Sequence, residues 1–119
     1  MSHAHTLADL GFAQHVQRAL VEHLQGSPLK DDTLTIASIG DLEVRIAAAD
    51  ALLAQAGRSS VEAASARLAA AEAAQRASEL QVELTGRQTP RPSIEGDAVP
   101  LSQLRRRLGD HYLNGVALT

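Results

Sequence analysis

Between residues 63 and 84 the chain puts a small or aliphatic residue at almost every position that a helix could turn inward. The series is Ala63, Ala64, Ala66, Leu68, Ala71, Ala74, Ala77, Leu80, Val82 and Leu84. Alanine is the strongest helix former, so this stretch is a long helix. Because its alanines cover most of the circumference, it is read as the most enclosed helix of the fold. Small side chains let neighbouring backbones approach closely, which suits helices packed face to face. The rest of the chain supports the same architecture. Phe12 and Tyr112 are the only aromatic residues, 2% of the sequence, so a core has to be built from Leu, Ile, Val and Ala.

Three further helices follow from apolar spacing. Leu7, Leu10, Ala13, Val16, Leu20 and Leu24 recur with helical period after Thr6, a capping residue with Asp9 in the first turn. Gln25-Gly26-Ser27-Pro28 ends that run. Asp31 or Asp32 starts the next helix, whose seam is Ile39, Leu42, Ile46, Ala49, Leu53 and Ala56, with Gly57 as the stop. Ser59 and Glu62 have capping-box spacing before the alanine-rich helix, and Gly86 follows it. Pro100 opens a fourth helix with Leu101, Leu104, Leu108 and Tyr112 on its inner face, and Gly115 closes it. The expected helices span about 7–25, 33–56, 60–85 and 101–114, with an exposed loop at 87–99 holding Pro90, Pro92 and Gly96. Along the third helix, Glu72–Arg76 and Arg76–Glu79 stand one turn apart, and each pair is worth roughly 0.2–0.5 kcal/mol. The expectation is all-α: a single domain over residues 1–119 folded as an antiparallel up-and-down four-helix bundle.

Composition excludes several functions. There is no cysteine, hence no disulfide, thiolate metal site or thiol nucleophile. The formal net charge of −3 and the lack of stacking aromatics argue against nucleic acid. No apolar run approaches the roughly 20 residues of a membrane span, and the N-terminus does not read as a signal peptide. A cytoplasmic location without membrane attachment is expected. His3 and His5 lie in a terminal segment, His15 and His23 are two turns apart, and His111 is distant in sequence, so no metal site is expected. Asp31 and Asp32 are adjacent and read as capping residues rather than an acid pair.

Arg105-Arg106-Arg107, preceded by Arg87 and Arg91, is the one concentrated charge feature. It reads either as an anion site for phosphate, CoA or an acidic surface, or, more economically, as the solvated face of an amphipathic helix. Three consecutive residues span most of a turn and cannot all address one ligand. No nucleophile–base pair is readable, so no catalytic residue is assigned.

The order of these features resembles the C-terminal helical domain of the acyl-CoA dehydrogenases. Leu10-Gly11-Phe12-Ala13 is similar to that family's Leu-Gly-Ile-Ala start, and Gly26-Ser27-Pro28-Leu29 to its Phe-Gly-x-Pro-Leu turn. Ala63 to Gly86 resembles its Ala- and Glu-rich helix ending in Gly-Gly, and Arg105 to Gly115 its final Arg-Asp…Glu-Gly-Thr stretch. The resemblance implies a helical bundle that packs on a neighbouring subunit and helps hold FAD, with Gly86, Arg87 and Arg105 as the cofactor-binding positions. Full-length members oxidise acyl-CoA thioesters using two further domains that this sequence does not contain. The departures fall on the working positions. Glu22 and Gln25 stand for the family's Arg and Phe, Glu83 for its flavin-contacting Gln, and Arg106 for the Asp beside the final Arg. Asn114 stands where many members carry the catalytic base, and an amide cannot accept that proton.

Three functions are therefore expected in descending order. The first is a non-catalytic helical module for assembly or interaction, as a homo-oligomer or with a flavoprotein partner. The second is the helical subunit of a split or degenerate flavoprotein, binding FAD or acyl-CoA with a partner chain; no cofactor and no enzymatic activity are expected of the chain alone, and as part of an enzyme it would belong to an FAD-dependent acyl-CoA dehydrogenase-like oxidoreductase. The third is a bundle with a small-ligand pocket lined by Leu and Ala.

Overall fold

In the computed structural model, residues 3–94, 96 and 98–118 are described. Four α-helices account for most of them: α1 (Ala4–Gln25), α2 (Thr33–Gln55), α3 (Ser60–Thr85) and α4 (Leu101–Asn114). A 3-10 turn, Pro28–Asp31, links α1 to α2. No strand occurs among the described residues, and the helices pack against one another.

The ends of the helices obey local chemistry. The Asp32 carboxylate accepts hydrogen bonds from the Thr35 backbone N–H at 2.9 Å and from its hydroxyl at 2.8 Å, which fixes the start of α2. Those bonds favour the ionised form and hold the Asp32 carboxyl below its ordinary range. Ser59 caps α3, its Oγ accepting from the Glu62 backbone N–H at 3.1 Å. Gly86, at φ 70°, closes α3 in the left-handed conformation that residues with a Cβ avoid. Two boundaries differ from the sequence reading. α1 begins at Ala4, ahead of Thr6, which is buried inside the helix rather than capping it. α2 ends at Gln55, before Gly57, with Ala56 buried as its last cap residue.

The links between α1, α2 and α3 are short enough to turn each helix back on the one before. α3 touches both of the others along its length, and the main core lies between the three. It joins Leu10, Val16 and Leu20 of α1, Leu42 and Ile46 of α2, and Ala73, Ala77 and Leu80 of α3. The expected α2 seam is therefore the buried one. α4 touches α3 and no other helix among the described residues. Leu104 packs with Ala64 and Leu68, flanked by Leu101, Leu108 and Leu118. Three expected core residues face out: Leu7 is 58% exposed, Val82 49% and Tyr112 73%. α4 is the most polar helix and buries Leu104 alone, so its last turn has nothing to cover Tyr112.

Candidate functional site

The polar centre of the molecule is built on Asp9. Sequence alone places it in the first turn of a helix, as an aid to the cap. Because α1 starts earlier, Asp9 instead lies inside the helix, on the side that faces α3. Its carboxylate is shared by two arginines. Arg67 Nη1 of α3 donates to Oδ2 at 2.7 Å, and Arg91 Nη2 donates to Oδ1 at 2.6 Å. The three side chains are partly to mostly buried, with Asp9 at 13% exposure. A carboxylate in such a place needs both oxygens satisfied, and two charge-assisted bonds achieve that.

Arg91 belongs to the segment between α3 and α4, so this ion cluster ties that segment to the bundle. Its guanidinium also lies 4.9 Å from the centre of the Phe12 ring, a cation–π contact over the one aromatic residue of the core. A second tie sits nearby. The buried Gln81 amide donates from Nε2 to Thr89 Oγ1 at 2.8 Å, and its Oε1 accepts from the Thr89 backbone N–H at 2.8 Å. The start of the expected exposed loop is thus fastened at Thr89 and Arg91, although Pro90 and Pro92 remain exposed.

Around Asp9 opens a groove of about 630 Å³, walled by α1, α2, α3, the Arg91 segment and the start of α4. Five arginines line it, Arg45, Arg67, Arg76, Arg91 and Arg105, with the carboxylates Asp9, Glu72 and Glu79. Asp41 and Glu83, just outside this lining, pair with Arg45 and Arg76, so the positive surplus of the groove lies at Asp9, where two arginines share one carboxylate. Outside the Asp9 cluster the pairing is uneven. Arg45 Nε meets Asp41 at 2.9 Å on the same helix. That hydrogen bond and the Asp41 charge, followed by the fields of Glu72 and Glu79, raise its guanidinium above the ordinary pKa. Arg76 reaches Glu83 only at 3.5 Å, and Arg105 reaches Glu72 only at 3.7 Å, all four being partly or largely exposed. The expected Glu72–Arg76 and Arg76–Glu79 pairs are not formed; Glu72 faces Arg105 and Arg76 faces Glu83 instead.

The sequence-derived site residues separate in space. Arg105 enters the groove. Arg106 and Arg107 line a different surface with Asp110, as expected for consecutive helical positions. Gly86 and Arg87 are exposed at the C-terminal end of α3. From residue 72, which faces Arg105, to residue 86 a helix rises roughly 20 Å, so the three positions do not converge. Asn114 donates to Asp110 at 2.7 Å on the exposed face of α4. His15 and His23 are exposed, and the His111 ring meets the Val116 carbonyl at 2.9 Å. Among the described residues no three histidine or carboxylate side chains form a group able to hold a metal ion. The groove is lined by charge rather than by the Leu and Ala of the third sequence-based reading. No helix among the described residues is long and apolar enough to cross a membrane.

The Asp9–Arg67–Arg91 cluster is the element that sequence reasoning missed. A signal existed: Arg67 is a long cation among Ala63, Ala64, Ala66, Ala70 and Ala71, on the helix expected to be most enclosed. A charge there requires a carboxylate from another element.

Set beside known proteins, the chain matches no family model, no curated protein and no solved structure.

Proposed function

We propose that this chain is a helical assembly module that pairs with a second copy of itself through the outer face of α2. One observation carries the reading. α2 is the most apolar of the four helices, yet it buries only Thr35, Leu42, Ile46 and Ala49. Opposite that inner seam runs another, Ala37, Gly40, Val44, Ala47, Ala51 and Ala54, all exposed. Its spacing alternates three and four, the pattern of a helix that packs along a partner helix. Leu34 and Ile36, 78% and 56% exposed, flank its start, and Val44 within it is 68% exposed. A contiguous apolar face of this kind marks an interaction surface.

Charge selects the arrangement. In a parallel pair, residues flanking the seam meet across the interface as Ile36–Asp41, Glu43–Ala48 and Asp50–Gln55. No like charges are opposed, and Asp41 is already neutralised by Arg45. An antiparallel pair would set the Glu43 and Asp50 edges of the two copies against each other. The seam runs about 26 Å along the helix. That is short for a stable interface, so association is weak and concentration-dependent.

Sedimentation velocity over a concentration series tests this. The expected result is a shift from monomer to dimer for the native chain. Ala47→Glu, which puts two carboxylates at the centre of the seam, is expected to stay monomeric with unchanged helicity. A native chain that sediments as a monomer at every concentration overturns the proposal. The alternative, a helical subunit of a split acyl-CoA dehydrogenase-like flavoprotein binding FAD with a partner chain, rests on the sequence resemblance alone. Gly86, Arg87 and Arg105 lie apart, and the assembly reading is the one the geometry supports better.

A further inference from the structure

We propose that the arginine groove binds a small phosphate-bearing ligand, seated between the Arg67–Arg91 pair and Arg105. The inference stands independently of pairing through α2.

At the inner end of the groove two guanidinium groups share one carboxylate. Asp9 carries a single negative charge against two positive ones, so the cluster keeps a cationic surplus after its internal bonds are made. Donors are left over as well. A guanidinium has five N–H groups, and each of these arginines gives Asp9 one bond. Arg105 and Arg76 stand further out on long contacts to exposed carboxylates, 3.7 and 3.5 Å, of the kind that contribute little. Both are free to turn toward a better acceptor. A phosphate offers that acceptor, because its oxygens match the planar fork of a guanidinium.

The site is also held open in advance. Arg91 is fixed by Asp9, by the Phe12 ring and by the Gln81–Thr89 clasp two residues away, so binding orders little new chain. The volume of about 630 Å³ lies within the usual range for small-ligand sites. Glu72 and Glu79 on the groove wall set a limit on the occupant. An extended polyanion would meet both carboxylates, whereas a compact dianion that reaches Arg105 has only to displace Glu72 from its long contact with that arginine. A ligand with hydroxyl groups beyond its phosphate would find acceptors there. The same chemistry is offered by free phosphate and by a phosphate monoester.

Calorimetric titration of the full chain with inorganic phosphate and, separately, ribose 5-phosphate, at constant ionic strength with acetate as control, decides the matter. Saturable binding of at least one phosphate species is expected, with none for acetate. Tighter binding of ribose 5-phosphate would assign the site to monoesters, and tighter inorganic phosphate to the free anion. Arg105→Ala is expected to weaken binding about tenfold without loss of helicity, and Arg107→Ala, on the other surface, to leave it unchanged. The same binding by the monomeric Ala47→Glu chain would separate the groove from assembly. Absence of saturation with both probes, or equal weakening by Arg107→Ala and Arg105→Ala, would overturn the proposal and leave the arginines as ties for the Arg91 segment.

Discussion

α2 and α3 are neighbours of similar length, both rich in alanine, and they meet opposite fates. α3 is close to neutral in overall hydropathy but buries residues along nearly all of its length, from Ala63 to Gln81. α2 is the more apolar of the two and leaves a whole face in solvent. Topology, not hydropathy, makes the difference. α3 touches α1, α2 and α4, and its alanines are what allow three neighbours to come close. α2 has α1 and α3 on one side and, among the described residues, no helix on the other. The same residue type is therefore core packing on one helix and uncovered surface on the next.

A matched substitution gives the largest expected separation between them. Ala74 on α3 is fully buried in the main core, and Ala47 on α2 is exposed. Ala74→Leu forces three extra carbons into close packing and is expected to cost about 1–3 kcal/mol or more, read as a lower midpoint in urea. Ala47→Leu is expected to change monomer stability by no more than about 0.5 kcal/mol. Equal losses at the two positions would mean that the outer face of α2 is not a free surface.

The four helices were legible in the sequence because apolar spacing and end signals agreed. The limits of α3, 60–85, and of α4, 101–114, emerge as read, and so does the inner seam of α2. Three things were not legible, each for a physical reason. Alanine serves a core and a surface equally, so the second α2 seam was hidden by residues that satisfy either reading. Tyr112 and Leu7 fit the helical period, but a period says which face they share and not whether anything covers that face. The Asp9 cluster is long-range: Arg67 lies 58 residues and Arg91 82 residues away in sequence, and no local pattern encodes such a meeting. Of the groove, Arg91 and Arg105 were legible as anion candidates, while Arg45, Arg67 and Arg76 were not.

That cluster also distinguishes the two helices, since only α3 carries a largely buried charge that depends on another element. Asp9→Asn keeps the shape but removes the charge that Arg67 and Arg91 share. The expected cost is about 1–3 kcal/mol, in the range for losing hydrogen bonds to charged partners at a partly exposed site. The Arg91 segment should loosen with it, so limited proteolysis between residues 88 and 99 is expected to accelerate well before global unfolding. A variant that resists protease like the native chain would show that the Gln81–Thr89 clasp and the Phe12 contact hold the segment unaided.

The smallest effect carries the sharpest sign. Gly40 sits in the exposed seam in mid-helix, and a Cβ built there meets nothing within 4 Å. For an isolated chain the glycine is only a cost. Gly40→Ala is expected to stabilise the monomer by about 0.8–1.0 kcal/mol, the propensity difference in a helix interior. If the outer face of α2 pairs with a second copy, the glycine has a use, because it permits the closest approach of the two backbones at the start of the seam. Gly40→Ala should then raise the thermal midpoint of dilute protein while weakening dimerisation in the sedimentation series. Opposite signs in one variant separate a packing role from a folding role. If stability and association rise together, the approach at Gly40 is not close, and the contact would have to centre on Val44 and Ala47 instead.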